Sequence, residues 1–201
     1  MNKLVIATHN KDKLIEFHSI LSGLELEIMT LNEFPEIGAI EETGTTFLEN
    51  SFLKARTVFR QTQIPTIADD SGLEVDYLNG APGIHSARFA GDTATYSENV
   101  EKLLRELEGV PLPSRKARFR SIVTFVNEDI EFWTEGHIDG TIADHPSGVG
   151  GFGYDPVFYI PNLKKTFAEI SQHEKNLISH RGLALKKIRK LLVKTILDTD
   201  K

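Results

Sequence analysis

The sequence predicts an α/β fold, a twisted mixed sheet flanked by helices, and three observations predict it. Short apolar β-rich runs alternate along the chain with amphipathic runs of helical period. Two long strand-like runs, Ala117 to Asn127 and Ile130 to Ile138, follow one another across Glu128-Asp129, and such a hairpin makes the sheet mixed. No internal repeat, low-complexity tract or heptad series interrupts the pattern. With 201 residues the chain fits one domain over 1–201, with room for two lobes around a cleft, and it can bury a core without staples.

Lys3 to Ala7 is apolar and β-rich, and Thr8-His9-Asn10-Lys11-Asp12-Lys13 follows it. A helix then begins, with Leu14, Phe17, Ile20 and Leu21 on one face. This turn places helix amides and a hydroxyl where an anion can dock, with Lys11 and Lys13 adding charge. Equally, Thr8, Asn10 or Asp12 is an ordinary helix cap. It is not a Walker A loop, because the glycines and the Gly-Lys-Ser/Thr ending are missing.

Leu24 to Leu31 alternates as a second strand, and a polar loop carries Glu41 and Glu42. Thr46 to Glu49 is a capping box. It opens a helix with Phe47, Leu48, Phe52, Ala55 and Phe59 on its buried side. Just before a helix start, the two glutamates are explained by the helix dipole or by a metal role.

Ile67 to Val75 (IADDSGLEV) is an apolar strand opening into Asp69, Asp70, Ser71 and Gly72. Two consecutive aspartates on an extended backbone point to opposite faces. They share one metal ion only if the chain bends, and Ser71-Gly72 is expected to supply the bend. The competing reading is an acidic turn that caps a strand end. Gly80 to Gly83 is a stiff turn, and Arg88 after it could pair with Asp69 or Asp70 or meet a phosphate.

Thr95 to Glu98 is another capping box, for a helix through Leu107 with Val100, Leu103, Leu104 and Leu107 inward, ended by Pro111 and Pro113. In the hairpin, Trp133 and His137 read as sheet packing and a surface or core histidine, since neither has a partner at ligand spacing. Ser147 to Pro156 holds four glycines within six residues, letting backbone approach a ligand, and Phe152 and Tyr154 add flat apolar faces. That combination suits a stacked base, or else a hairpin loop whose aromatics pack on the sheet. After a strand at Val157 to Ile160, Glu174-Lys175-Asn176 and Ser179-His180-Arg181-Gly182 lead into a basic helix with Leu185, Ile188, Leu191 and Leu192 apolar. His180 and Arg181 combine a titratable ring with a planar donor fork that can read carbonyl or phosphate oxygens, or form a salt bridge.

Composition excludes several chemistries. There is no Cys, so disulfides, zinc–thiolate sites and thiol nucleophiles are ruled out, and a metal would be held by oxygen or imidazole. A net charge of −6 argues against broad nucleic-acid binding, which rests on a basic surface. No apolar run reaches membrane-span length, and Met1-Asn2-Lys3 enters a strand without a signal-type apolar region. The expectation is a soluble, cytoplasmic protein with no membrane and no stable nucleic-acid partner.

Six motifs in order, T-x-N-x-x-K at Thr8 to Lys13, EETG-x-T-F-x-EN at Glu41 to Asn50, ADDSGL at Ala68 to Leu73, GAPG at Gly80 to Gly83, GGFGYDP ending at Pro156, and EK-x-x-x-SHRG at Glu174 to Gly182, span nearly the whole chain. Together they resemble the inosine triphosphate pyrophosphatase family, which clears deaminated purine nucleotides. The resemblance implies an elongated two-lobed α/β fold with the active site in the inter-lobe cleft, and a homodimer. It implies cleavage of a nucleoside triphosphate between the α and β phosphates, with Mg2+, to monophosphate and pyrophosphate. The substrates implied are dITP, ITP and XTP, whose removal keeps deaminated purines out of DNA and RNA.

Carried residue by residue, the resemblance makes Asp70 the base that takes a proton from water and also a metal ligand. Asp69, Glu41 and Glu42 are the other metal ligands, with Glu41 preferred of the loop pair. Thr8, His9, Asn10, Lys11, Asp12, Lys13 and Ser71 bind phosphate and sugar. Phe152 stacks on the base, Gly153, Tyr154 and Asp155 line its pocket, and Lys175, His180 and Arg181 contact base or phosphates. Two other readings compete with this one: a regulatory nucleotide-binding module, which needs no general base, and an aspartyl-phosphate phosphatase, whose Asp-x-Asp order is absent from Ile67 to Val75.

Overall fold

The computed structural model describes residues 2–197, so Met1 and residues 198–201 of the expected domain lie outside the described residues. One seven-stranded mixed sheet has the order β2-β1-β3-β4-β5-β6-β7. Its strands are β1 (Asn2–Ile6), β2 (Leu26–Thr30), β3 (Thr66–Val75), β4 (Lys116–Val126), β5 (Glu131–Ile142), β6 (Phe158–Ile160) and β7 (Lys165–Thr166). β1 runs parallel to β2 and β3, whereas β6 is antiparallel to β5 and β7. The helices are α1 (Lys11–Leu21), α2 (Phe47–Thr62), α3 (Tyr96–Glu106), α4 (Gln172–Ile178) and α5 (His180–Leu192). Among the described residues no helix is long and apolar enough to cross a membrane.

The described residues form two compact units, one of residues 2–70, 121–136 and 181–197, the other of residues 71–120 and 137–180. In the first unit, strand alternation sorts the core onto two faces. Leu4, Ile6, Ile67, Val123 and Phe125 meet Phe17 and Leu21 of α1 and Leu185, Ile188 and Leu192 of α5. Their strand neighbours Val5, Ala7, Ala68 and Val126 meet Ala55 and Val58 of α2. The period of two leaves each strand residue no other choice of face. In the second unit, Leu73, Val75, Ala117, Phe119, Ile142 and Phe158 pack against Val100 and Leu103 of α3.

Local sequence explains the boundaries. Asn10 caps α1, Thr46 caps α2 and Thr95 caps α3, and the last two close full capping boxes with Glu49 and Glu98. The β4–β5 connection is held by Asn127, whose Oδ1 accepts from the amides of Asp129 and Ile130. Three expectations are corrected. The second strand is shorter than Leu24 to Leu31, because Leu31 begins a 3₁₀ turn capped by Thr30 and Glu33. Trp133 does not pack into the sheet; it is 46% exposed on β5. No bend occurs at Ser71-Gly72, since β3 continues as strand to Val75.

Candidate active site

The unbroken β3 decides how the first cluster is built. Asp69 shares a face with Ile67 and so turns toward α1 and α5, while Asp70 shares a face with Ala68 and turns toward α2. Each carboxylate meets cations from its own side. Asp69 Oδ2 accepts from Arg181 Nε of α5 at 2.9 Å, and Asp69 Oδ1 lies 3.0 Å from Lys13 Nζ of α1. Asp70 Oδ1 lies 3.4 Å from Lys54 Nζ of α2. The two aspartates are therefore held by opposite layers of helix, and no bend brings them onto one ion.

A second acid completes each side. Arg181 Nη1 donates to Glu16 Oε2 at 2.5 Å, so one buried guanidinium fork joins Asp69 to Glu16. Lys54 Nζ donates to Glu42 Oε1 at 2.5 Å as well as to Asp70. Neither Glu16 nor Lys54 was singled out from sequence. A signal existed for both: Glu16 sits one turn after Lys13, and Lys54 interrupts the buried 51, 55, 58 face of α2. Glu41 is exposed, whereas its neighbour Glu42 reaches the cluster and is half-buried.

These surroundings set the charges. Burial works to raise the Asp69 pKa, but Lys13, Arg181 and Lys54 outweigh it and hold the carboxyl well below its usual range. For Asp70 burial wins over Lys54 and Lys13, and Glu42 and Asp69 add repulsion, so its pKa is raised. Desolvation lowers the Lys13 pKa against the pull of Asp69. Lys54 is also desolvated, yet Asp70, Glu42 and Asp69 together raise it.

The Thr8 to Lys13 turn is tied down by its own side chains. Asn10 Oδ1 accepts from the amides of Asp12 and Lys13, and Thr8 Oγ1 accepts from the Asn10 amide. Asn10 is thus the α1 cap. His9 is exposed, with Nε2 3.4 Å from the Gly38 carbonyl, and Lys11 is exposed at the helix start. Ser71, half-buried on β3, opens the second unit.

The second unit gathers the other sequence candidates around Phe152. Asp155 is 2% exposed; its Oδ2 accepts from the Phe152 amide at 2.8 Å and pairs with Lys175 Nζ at 2.5 Å. The same Nζ lies 4.4 Å from the Phe152 ring centroid, a cation–π contact. Gly151, with φ +70°, makes this possible, because a Cβ there would stand 2.0 Å from Asp155 Oδ2. Half-buried Gly153 follows Phe152, also at positive φ. Tyr154 is a core residue, 4% exposed, with its hydroxyl donating to the Ser86 carbonyl and its pKa raised by burial. His180 is buried and stacks on Phe119, centroids 4.6 Å apart and 9° from parallel. Lys175 lies within α4, and His180 is the first residue of α5.

Two arrangements result. One is a buried set of carboxylates and cations with a raised aspartate, suited to anionic oxygens and to proton transfer. The other is an aromatic ring braced by an ion pair, suited to a flat ligand. No three His, Asp or Glu side chains form a ready metal cluster among the described residues. Glu42 and Asp70 nonetheless converge on one cation, the Lys54 ammonium. That hard-oxygen pair fits Mg2+, which takes one or two carboxylates and completes its shell with water and phosphate.

The chain is similar in sequence and fold to several known proteins. A protein named dITP/XTP pyrophosphatase from Thermoanaerobacter pseudethanolicus is 47% identical over 194 residues, 96% of this chain and 98% of that one. One of the same name from Listeria innocua is 49% identical over 198 residues, 98% of this chain and 97% of that one. The structure of a HAM1 protein from Coxiella burnetii superposes with a TM-score of 0.89 at 41% identity, covering 97% of this chain and all of that one. The Staphylococcus aureus Ham1 protein gives 0.87 at 38% identity over the full length of both. The Ham1 family model matches residues 4–191, and the chain belongs to that family.

Proposed function

We propose that this protein is a nucleoside-triphosphate pyrophosphohydrolase that cleaves dITP, ITP and XTP to monophosphate and pyrophosphate with Mg2+, removing deaminated purines before they enter DNA or RNA. The observation that carries the reading is Asp70, a buried aspartate with a raised pKa, held beside the Lys54–Glu42 pair. The names of its relatives support the substrate class. A homodimer working in the cytoplasm belongs to the same reading, carried by the family resemblance.

In this mechanism Asp70 accepts a proton from the attacking water, a step worth about 10²–10⁴-fold. Asp70 and Glu42 are the proposed ligands of Mg2+; Asp69, engaged by Lys13 and Arg181, and exposed Glu41 stand behind them. When bound, the metal supplies charge neutralisation to the phosphates. Lys13, with Thr8 to Asp12 and Ser71, binds phosphate and sugar. Phe152 stacks on the purine, and Asp155 and Lys175 hold the ring in place for it. Arg181 acts through Asp69 and Glu16, fixing the strand from which Asp70 projects.

Selectivity rests on the base edge. A 6-keto purine presents an acceptor where adenine presents a donor, so a protein donor there accepts the first and leaves the second mismatched. One unpaired buried group is worth roughly 1–3 kcal/mol. The test is turnover of dITP and XTP beside ATP and GTP with Mg2+, separating pyrophosphate from phosphate. Pyrophosphate release confined to dITP and XTP is the expected result. Binding without turnover would replace the reading with a regulatory module, and phosphate release would return the aspartyl-phosphate alternative.

A further inference from the structure

We propose that Tyr96 is a second aromatic wall of the base site, facing Phe152, and so a nucleotide-binding residue of this chain. The inference rests on the proposed function, since it names a further contact for the same purine.

The geometry comes from the second unit alone. The Tyr96 ring lies 5.9 Å from the Phe152 ring, centroid to centroid, with 42° between their planes. That is too tilted for a stacked pair, and the two rings form a wedge. Phe152 carries the Lys175 ammonium 4.4 Å from its centroid, and that ammonium is held by buried Asp155. Tyr96, by contrast, is 42% exposed, large and aromatic, at a place where a helix start ordinarily shows water a polar side chain.

The backbone under Tyr96 is rigid. Thr95 caps α3, with Glu98 Oε2 accepting from both its amide and its hydroxyl. Asn99, buried one turn on, accepts from the Ala90 amide and donates to the Ala87 carbonyl, locking the helix start to the preceding loop. Tyr96 is the first helical residue above this anchor. A small rotation of its exposed ring widens the wedge, and a purine entering there exchanges one aromatic contact for two. Every base has a π-face, so such a wall strengthens binding without choosing among bases.

The assignment makes a kinetic prediction. Tyr96→Ala raises KM for XTP and for dITP by a similar factor, about tenfold, with kcat held within about twofold, because stacking on a base carries that order of affinity. Tyr96→Phe, which keeps the ring, restores KM. The same pair of variants is titrated with dIMP to read binding without turnover, and their urea midpoints are compared with that of the parent protein. An unchanged KM and dIMP affinity in Tyr96→Ala overturns the proposal, as does failure of Tyr96→Phe to rescue, which would move the role to the hydroxyl. If the parent protein turns over no nucleotide, the proposed function fails; the dIMP titration then still decides Tyr96 on its own.

Discussion

Lys54 Nζ lies 3.4 Å from Asp70 Oδ1 and 2.5 Å from Glu42 Oε1, so one buried ammonium holds the aspartate and the loop glutamate together. Even so, desolvation keeps the Asp70 pKa above its ordinary value. Asn in place of Asp70 keeps the shape and removes the proton acceptor. Asp70→Asn is therefore expected to lower kcat by about 10²–10⁴-fold, with circular dichroism and urea midpoint close to those of the parent protein. An Asn variant with full activity would take Asp70 out of the mechanism.

Arg181 carries a different kind of prediction, because its guanidinium is 2% exposed and joins two buried carboxylates. Arg181→Met takes the fork away from both Asp69 and Glu16, leaving Asp69 with Lys13. Breaking a buried pair in this way costs about 3–5 kcal/mol, read as a lower urea midpoint. Arg181→Lys recovers only part of the loss, since a single ammonium cannot reproduce two directed donors. If Arg181 instead served substrate alone, both variants would keep their stability and change only KM.

Legibility divided along physical lines. Elements marked by strong local signals were read correctly: the capping boxes at Thr46 and Thr95 start α2 and α3 where the sequence placed them. The motif resemblance pointed to the family that the comparisons support. What local sequence did not reveal was the partnership of charges. The bend assigned to Ser71-Gly72 does not exist, because a strand buried on both faces pairs along its length regardless of a glycine. Lys54 and Glu16 escaped notice for a related reason. A charged residue inside an apolar stripe looks like an imperfection until the carboxylate or guanidinium opposite it, brought from elsewhere in the chain, is known. The partner of Lys175 is hidden in the same way, because Asp155 lies 20 residues away in sequence.

The Phe152 brace can be tested through one methyl group. Gly151 has φ +70°, and a Cβ there would come 2.0 Å from Asp155 Oδ2. In Gly151→Ala the carboxylate has to retreat from the Phe152 amide and from Lys175. KM for XTP is expected to rise by about 5- to 150-fold, the range of one lost stacking contact, with kcat changing less. Gly80→Ala is the control: it has φ +88° and no atom within 4 Å of its Cβ. It carries the backbone strain, about 1–2 kcal/mol, without the collision. Equal KM values for the two variants would show that strain alone, and not displacement of Asp155, accounts for the effect.

The α3 cap makes stability depend on pH in a definite direction. The backbone N–H of Thr95, and then its hydroxyl, donate to the Glu98 carboxylate and lower its pKa from the ordinary 4.5. A group whose folded pKa is depressed contributes stability that is fully present above its unfolded pKa. That contribution is lost as pH falls through the folded value. Glu98→Gln keeps an acceptor but no charge, so it should unfold at lower urea than the parent protein at pH 7. The gap should narrow once pH drops below about 4.5 and close as the carboxylate takes up its proton. Urea midpoints of the two proteins measured from pH 7 down to about 3 give the comparison. A gap that stayed constant across that range would show that the cap depends on the shape of the side chain and not on its charge.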